Sequence, residues 1–219
     1  MRSQAIRLAL IVIGAAAYLG LAVLGEGGLS RFLSDPARKS LAIVLLCAAF
    51  VTIFAGGAVG SGVREDRSNR WVLSVLAVLS LAHGYLPPLC DRLGLWIIGG
   101  ESIRWAGVLI VAVGCVLRIW PVFVLGDRFT ALVEIQAGHT LVTSGPYRFI
   151  RNPSYLGILV IMLGWAMVFQ STVGLLIFAL MVPFLVIRID SEERLLGEAF
   201  GPEYYAYVAR TKRLLPGLY

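Results

Sequence analysis

Charge is scarce in this chain. Asp, Glu, Lys and Arg make up 15% of its 219 residues against 58% hydrophobic ones, and the mean hydropathy is +0.84. A soluble domain of this length cannot enclose so many apolar side chains, whereas a bilayer accepts them on every outward face, so the class is a polytopic membrane protein. Cysteine is rarer still: Cys47, Cys90 and Cys115 lie in or beside apolar runs, with no CxxC or Cys/His spacing. That excludes a disulfide framework and a metal site, and leaves small packing residues. A separate G-x-G-x-x-G unit is also missing. The net charge of +6 comes from basic residues set singly between apolar runs. They never interleave with aromatics as a nucleic-acid stripe would, and membrane orientation explains them instead.

What is abundant is long apolar sequence. Six runs read as spans of an all-α fold, at 6–24, 41–59, 71–86, 103–125, 155–169 and 173–187, most of them near the length that crosses about 30 Å of hydrocarbon at 1.5 Å per residue. The first exceeds a signal-peptide core and has no clear cleavage site before a soluble domain. Residues 26–40 read as a loop, and Pro87-Pro88 as the stop of the third span, because proline lacks the amide donor and biases its predecessor away from helix. His83 on that span reads as a packed or backbone-bonded residue. Arg118 lies inside the fourth span, where an arginine must be paired, in a wet cavity or snorkelling; pairing and a site role are equally open. The whole of 1–219 forms one membrane domain, with 1–116 as scaffold.

Leaving out Arg118, the six-span topology puts thirteen Lys and Arg on one side and five on the other. By the positive-inside rule both termini and the 126–154 loop are expected to be cytoplasmic. An even hairpin separates that loop from the tail, so the two share a side. No internal repeat of either piece occurs, nor an inverted pair of broken helices, which disfavours a secondary transporter.

The chain is organised around 139–157, HTLVTSGPYRFIRNPSYLG, a polar, glycine- and proline-punctuated stretch between apolar runs. Thr143-Ser-Gly145-Pro-Tyr147 is a turn whose small residues let backbone donors approach a ligand. Arg151-Asn152-Pro153-Ser154-Tyr155 sets an arginine, an amide and a phenol before a helix start, with Ser154 either capping that helix or in its first turn. In the tail, Arg188, Glu192 and Leu195 recur at i, i+4, i+7, placing a cation and a carboxylate on one helix face where the last span ends. That face suits a zwitterion, and a surface ion pair gives the same spacing. AFGPEYYAY at 199–207 mixes aromatics with charge as an interfacial helix does. On residue chemistry alone the reading stops at a polar ligand bound at the cytoplasmic face.

The 139–157 segment, followed after a hydrophobic hairpin by Arg188, Glu192, Glu193 and FGPEYYAY, closely resembles the isoprenylcysteine carboxyl methyltransferase family of integral membrane enzymes. More loosely it resembles the phospholipid methyltransferases. The likeness runs from about 117 to 207, taking in LRIWPVFVLGDRFT, so that 117–219 would be the catalytic region. It implies S-adenosyl-L-methionine as methyl donor and a lipophilic or prenylated acceptor that enters from the lipid bilayer. By position it implies donor contacts from Glu134, His139, Thr140, Leu141, Val142, Tyr147, Asn152, Pro153, Ser154, Tyr155 and Glu192, and an acceptor-orienting role for Arg188. Arg118, Gly145, Arg151 and Glu193 are further candidates, and no metal is implied. The chain departs from the eukaryotic Arg-His-Pro at Arg151-Asn152-Pro153: asparagine hydrogen-bonds but does not titrate near neutral pH.

The implied chemistry asks little covalent help of the protein, since alignment and exclusion of water carry most of an in-line methyl transfer. Carboxyl O-methylation of a lipophilic acid is expected, because an arginine suits an anionic acceptor. Phospholipid amine or thiol methylation, an NADPH-dependent membrane reductase with a similar Arg-Asn-Pro motif, and a non-enzymatic membrane binding protein are the alternatives.

Overall fold

A computed structural model describes residues 2–54, 64–65, 70–126, 134–135 and 141–215. The helices are α1 (Arg2–Gly25), α2 (Leu29–Phe32), α3 (Pro36–Phe54), α4 (Arg70–Leu93), α5 (Glu101–Leu125), α6 (Pro153–Val168), α7 (Thr172–Phe200) and α8 (Pro202–Arg210). Strands β1 (Arg64–Glu65) and β2 (Glu134–Ile135) form a two-residue antiparallel pair. The fold is all-α apart from that pair. Among the described residues four helices are long and apolar enough to cross a membrane, namely Pro36–Phe54, Trp71–Leu93, Glu101–Leu125 and Thr172–Phe200. The other two expected spans are shorter apolar helices, Ala9–Gly25 and Pro153–Val168.

The bundle has two polar ends. At one end the α1–α3 and α4–α5 connections meet the α6–α7 turn: Ile98 N–H donates to Gln170 O (2.8 Å) and Thr172 N–H to Trp96 O (3.0 Å). At the other lie the segment before α6 and the end of α7. The core between them is built on Trp165, Phe169, Phe32, Val111, Cys115, Leu41 and Ala22, with Tyr18 against it. His83 is fully buried and pairs its Nδ1 with the Tyr18 hydroxyl at 3.0 Å. Cys90 and Cys115 are buried, whereas Cys47 is exposed on α3.

Two expected boundaries are wrong. Pro87 and Pro88 do not stop the third span; α4 runs through both to Leu93. Both prolines are fully buried, and an apolar bundle tolerates them because neighbouring helices re-satisfy the freed backbone. Gly25 makes room: a Cβ there would lie 2.8 Å from Pro88 Cβ and 2.7 Å from Tyr85 O. The 26–40 loop contains α2 and the start of α3, where Asp35 Oδ1 accepts from Arg38 N–H at 3.0 Å and Pro36 takes the first helical position. The helix of the last span continues past 187 through the face that carries Arg188, Glu192 and Leu195. α7 is continuous for 29 residues, about 43 Å at the usual rise, and projects beyond the apolar layer.

Candidate functional site where the loop meets the tail

Glycine brings α5 and α6 together. Gly107 and Gly114 on α5 face Gly164 and Gly157 on α6, and a Cβ at any of the four would fall within 2.6–2.7 Å of backbone atoms of the opposite helix. The spacing of seven on both helices is two turns, so one small stripe meets another and the backbones touch. This contact seats Arg118 over the first turn of α6, where its guanidinium donates to Ser154 Oγ. Ser154 is therefore occupied in the first turn and does not cap; Asn152 is the cap residue, without a side-chain cap bond, and Pro153 opens the helix.

The loop before α6 is paired directly with the C-terminal segment. Ile150 and Lys212 form a parallel bridge, with Lys212 N–H to Phe149 O (3.1 Å), Arg151 N–H to Lys212 O (2.8 Å) and Asn152 N–H to Arg213 O (3.2 Å). Glu193 on α7 locks the junction. Its Oε1 accepts from Arg151 Nε at 3.0 Å and Asn152 Nδ2 at 2.8 Å, and its Oε2 lies 3.4 Å from Arg213 Nε. Arg151 also donates to Thr211 O (2.7 Å) and Asn152 to Arg213 O (3.2 Å), while Arg213 pairs with Asp190. The expected meeting of loop and tail is observed. Residues 208–213 were not anticipated as part of it, because their contribution is mostly backbone carbonyls, which leave no side-chain signature.

Next to this clamp, on the adjoining face of α7, the Tyr155 hydroxyl donates to Glu192 Oε2 at 2.8 Å. Arg188 is 6% exposed, and its charge acts on both Tyr155 and Glu192; that of Arg118 also acts on Glu192. The i, i+4 pair read from sequence is thus a half-buried carboxylate beside two arginines and a phenol. Tyr147 lies in the 3-10 turn Gly145–Arg148, and its carbonyl accepts from Tyr207 Oη at 2.7 Å. Burial and then the Glu192 carboxylate hold the Tyr147 phenol well above its ordinary value, and burial pushes Tyr207 up to about 12. Both are neutral donors at physiological pH. Gly145 is there because its φ is +59° and a Cβ would meet Val124 Cγ2 at 2.9 Å. Leu141 and Val142 are half-buried in extended chain just before this turn. Glu134 is in β2, paired with Glu65 and packed beside α7. His139 and Thr140 lie outside the described residues.

Residues 102–203 match the family described as phospholipid methyltransferase. Protein-S-isoprenylcysteine O-methyltransferase A of Arabidopsis thaliana is 36% identical over 104 residues, 46% of this chain and 53% of that protein. The probable protein-S-isoprenylcysteine O-methyltransferase of Oryza sativa subsp. indica is 29% identical over 185 residues, 78% of this chain and 94% of that one. The chain spans about half the length of the Arabidopsis relatives it matches. In structure it resembles a eukaryotic intramembrane Ras methyltransferase, isoprenylcysteine carboxyl methyltransferase, with a TM-score of 0.58 at 21% identity, covering 95% of this chain and 77% of that one. That likeness shows the fold. Fold and junction together define a polytopic helical membrane protein with a polar site at one end of the bundle. Its sequence is similar to protein-S-isoprenylcysteine O-methyltransferases over about half to four fifths of its length.

Proposed function

We propose that the protein transfers a methyl group from S-adenosylmethionine to the carboxylate of a lipophilic, isoprenylcysteine-like acceptor at this junction. The observation that carries the reading is the Tyr155–Glu192 bond of 2.8 Å set against buried Arg188. The donor set fits the cofactor: a carboxylate and a phenol suit its cationic and hydroxyl groups, and arginines suit its carboxylate. When bound, it supplies a methyl group already activated on a sulfonium.

The chain's own residues then supply position. Glu192 and Tyr155 hold the donor, with Glu134, the His139-Thr140-Leu141-Val142 run and Tyr147 completing its surroundings. Pro153 and Ser154 act through the α6 start and Arg118. Asn152, whose amide is spent on Glu193 and Arg213, positions rather than contacts. Arg188 orients the acceptor carboxylate, an arrangement for which its two-pronged guanidinium is suited. The acceptor's apolar chain stays among the helices, which keeps water from the reacting atoms. The match to phospholipid methyltransferases favours a lipid amine as the second reading, and the arginines beside Glu192 weigh against a cationic acceptor.

Calorimetric titration of the detergent-purified protein with S-adenosylhomocysteine tests the donor. Saturable binding that weakens at least tenfold in Glu192→Ala is expected; no binding, or heat with NADPH alone, overturns the reading. Turnover of a farnesylated cysteine analogue, lost in Arg188→Ala with donor binding retained, tests the acceptor. Methylation of phosphatidylethanolamine in its place would select the second reading.

A further inference from the structure

The 3-10 turn and α8 leave a recess of about 340 Å³ between them, lined by Thr143, Arg148, Tyr207, Arg210 and Thr211. Its size is at the low end of the roughly 300–1,000 Å³ usual for small-molecule sites. Among the described residues no acidic one lines it. The hydroxyls of Tyr207 and Thr211 are turned to protein carbonyls, donating to Tyr147 O and Tyr207 O at 2.7 Å each, so the recess presents chiefly guanidinium donors and the Thr143 hydroxyl. Arg148 and Arg210 are exposed. The nearby Arg151 and Arg213 differ, being paired with Glu193 and Asp190. Two exposed guanidiniums across a small recess match an oxyanion of phosphate geometry.

The surroundings say where that phosphate comes from. Phe149, next to Arg148, and Tyr205 on α8 are 60% and 64% exposed, and Trp120 and Phe123 at this end of α5 are 47% exposed. Arg148 lies 5.7 Å over the Phe149 ring. Exposed aromatics at the end of apolar helices mark the headgroup level of a bilayer, and α8 turns Tyr204 and Tyr207 inward while Tyr205 faces out, as an interfacial helix does. Basic pockets at that depth recognise anionic headgroups.

We infer that the Arg148–Arg210 recess binds the phosphate of an anionic phospholipid. The lipid ties the 3-10 turn to α8, the two pieces already joined by the Tyr207 hydroxyl on the Tyr147 carbonyl, and so steadies the junction from its solvent side. This does not depend on the proposed methyl transfer.

The test is thermal unfolding of the full chain in a neutral detergent, titrated separately with short-chain phosphatidylglycerol, short-chain phosphatidylcholine and inorganic phosphate. The wild type should be stabilised saturably by phosphatidylglycerol, and less so as salt is raised. The Arg148→Gln/Arg210→Gln double variant should need at least tenfold more lipid, while Arg31→Gln at the opposite end behaves as wild type. If the double variant does not fold, the two single variants, each with a smaller shift, carry the comparison. An equal response to phosphatidylcholine, an equal response of the double variant, or an equal effect of inorganic phosphate overturns the proposal. So does loss of S-adenosylhomocysteine binding in the double variant, which would assign the recess to the donor.

Discussion

Glu192 and Glu193 are neighbours with different employment. Glu193 is bound by Arg151, Asn152 and Arg213, whereas Glu192 carries the Tyr155 hydroxyl beside Arg188. Removing Glu193 takes the shared acceptor from two guanidiniums and an amide, a loss of about 2–3 kcal/mol for a mostly buried charged partner. Glu193→Ala should therefore lower the melting temperature more than Glu192→Ala, with the opposite order for S-adenosylhomocysteine binding; matching orders in both assays would mean that the clamp and the site are one unit. The sequence showed both carboxylates but not their division of labour, since adjacent residues on a helix point about 100° apart and only the packed partners decide which face is which. Asn152 illustrates the same limit. That it stands where the family it resembles carries a histidine was visible, but its amide bonds to Glu193 and Arg213 were not. At the other end of the bundle Glu26 is 1% exposed, with Arg38 Nη1 at 2.6 Å. Burial, partly offset by Arg38, raises its carboxyl to about 7. The folded protein then holds a proton that the unfolded chain releases near 4.5, so this contribution to stability is full below about pH 4.5 and lost as pH climbs toward 7, by up to about 3 kcal/mol. Melting temperatures from pH 5 to 8 should fall in the wild type and stay flatter in Glu26→Gln; parallel profiles would remove Glu26 as the cause.

Helices were legible wherever hydropathy ran long, and their ends were misplaced where tertiary contacts overrode local preference. Buried Pro87 and Pro88 continue α4 because the bundle packs around them, a neighbour effect that no local rule contains. The glycines of α5 and α6 were equally visible as letters. Their seven-residue spacing acquires meaning only once the two helices are known to pack face to face. The contact makes a sharp prediction. In Gly157→Ala the new methyl meets Arg118 N at 2.6 Å and Cα at 2.8 Å, and since both are backbone atoms the helices must part. A loss of about 1–3 kcal/mol is expected, together with reduced turnover as Arg118 leaves Ser154. Gly20→Ala is the control, because its methyl meets nothing within 4 Å and alanine favours a helix by about 0.5–1 kcal/mol. Equal stability of the two variants, measured by thermal unfolding in one detergent, would show that close α5–α6 approach is not what holds Arg118 in place.

At the scale of the whole molecule, the two polar ends differ in how they treat charge. The end away from the site is self-contained: Arg104 grips Asp91 with two bonds of 2.6 and 2.7 Å, and Arg38 reaches Glu26, Asp35 and Asp91. Such a compact, mutually neutralised set closes that end of the bundle. The six-span reading of the sequence assigns thirteen Lys and Arg to the side of the site against five, with Arg118 left out, and Arg148 and Arg210 at this end are exposed. Orientation follows Lys and Arg near helix ends rather than net charge, and the prediction is that the site end faces the cytoplasm, the side of the proposed methyl donor. Single-cysteine labelling decides this on a chain whose Cys47, Cys90 and Cys115 are replaced by serine. With a membrane-impermeant maleimide on intact cells, Lys39→Cys, exposed at the start of α3, should react at once. Glu203→Cys, exposed on α8, should react only after the membrane is opened. The reverse pattern would place the junction outside, separate it from any cytoplasmic donor, and so remove the proposed reaction together with the orientation.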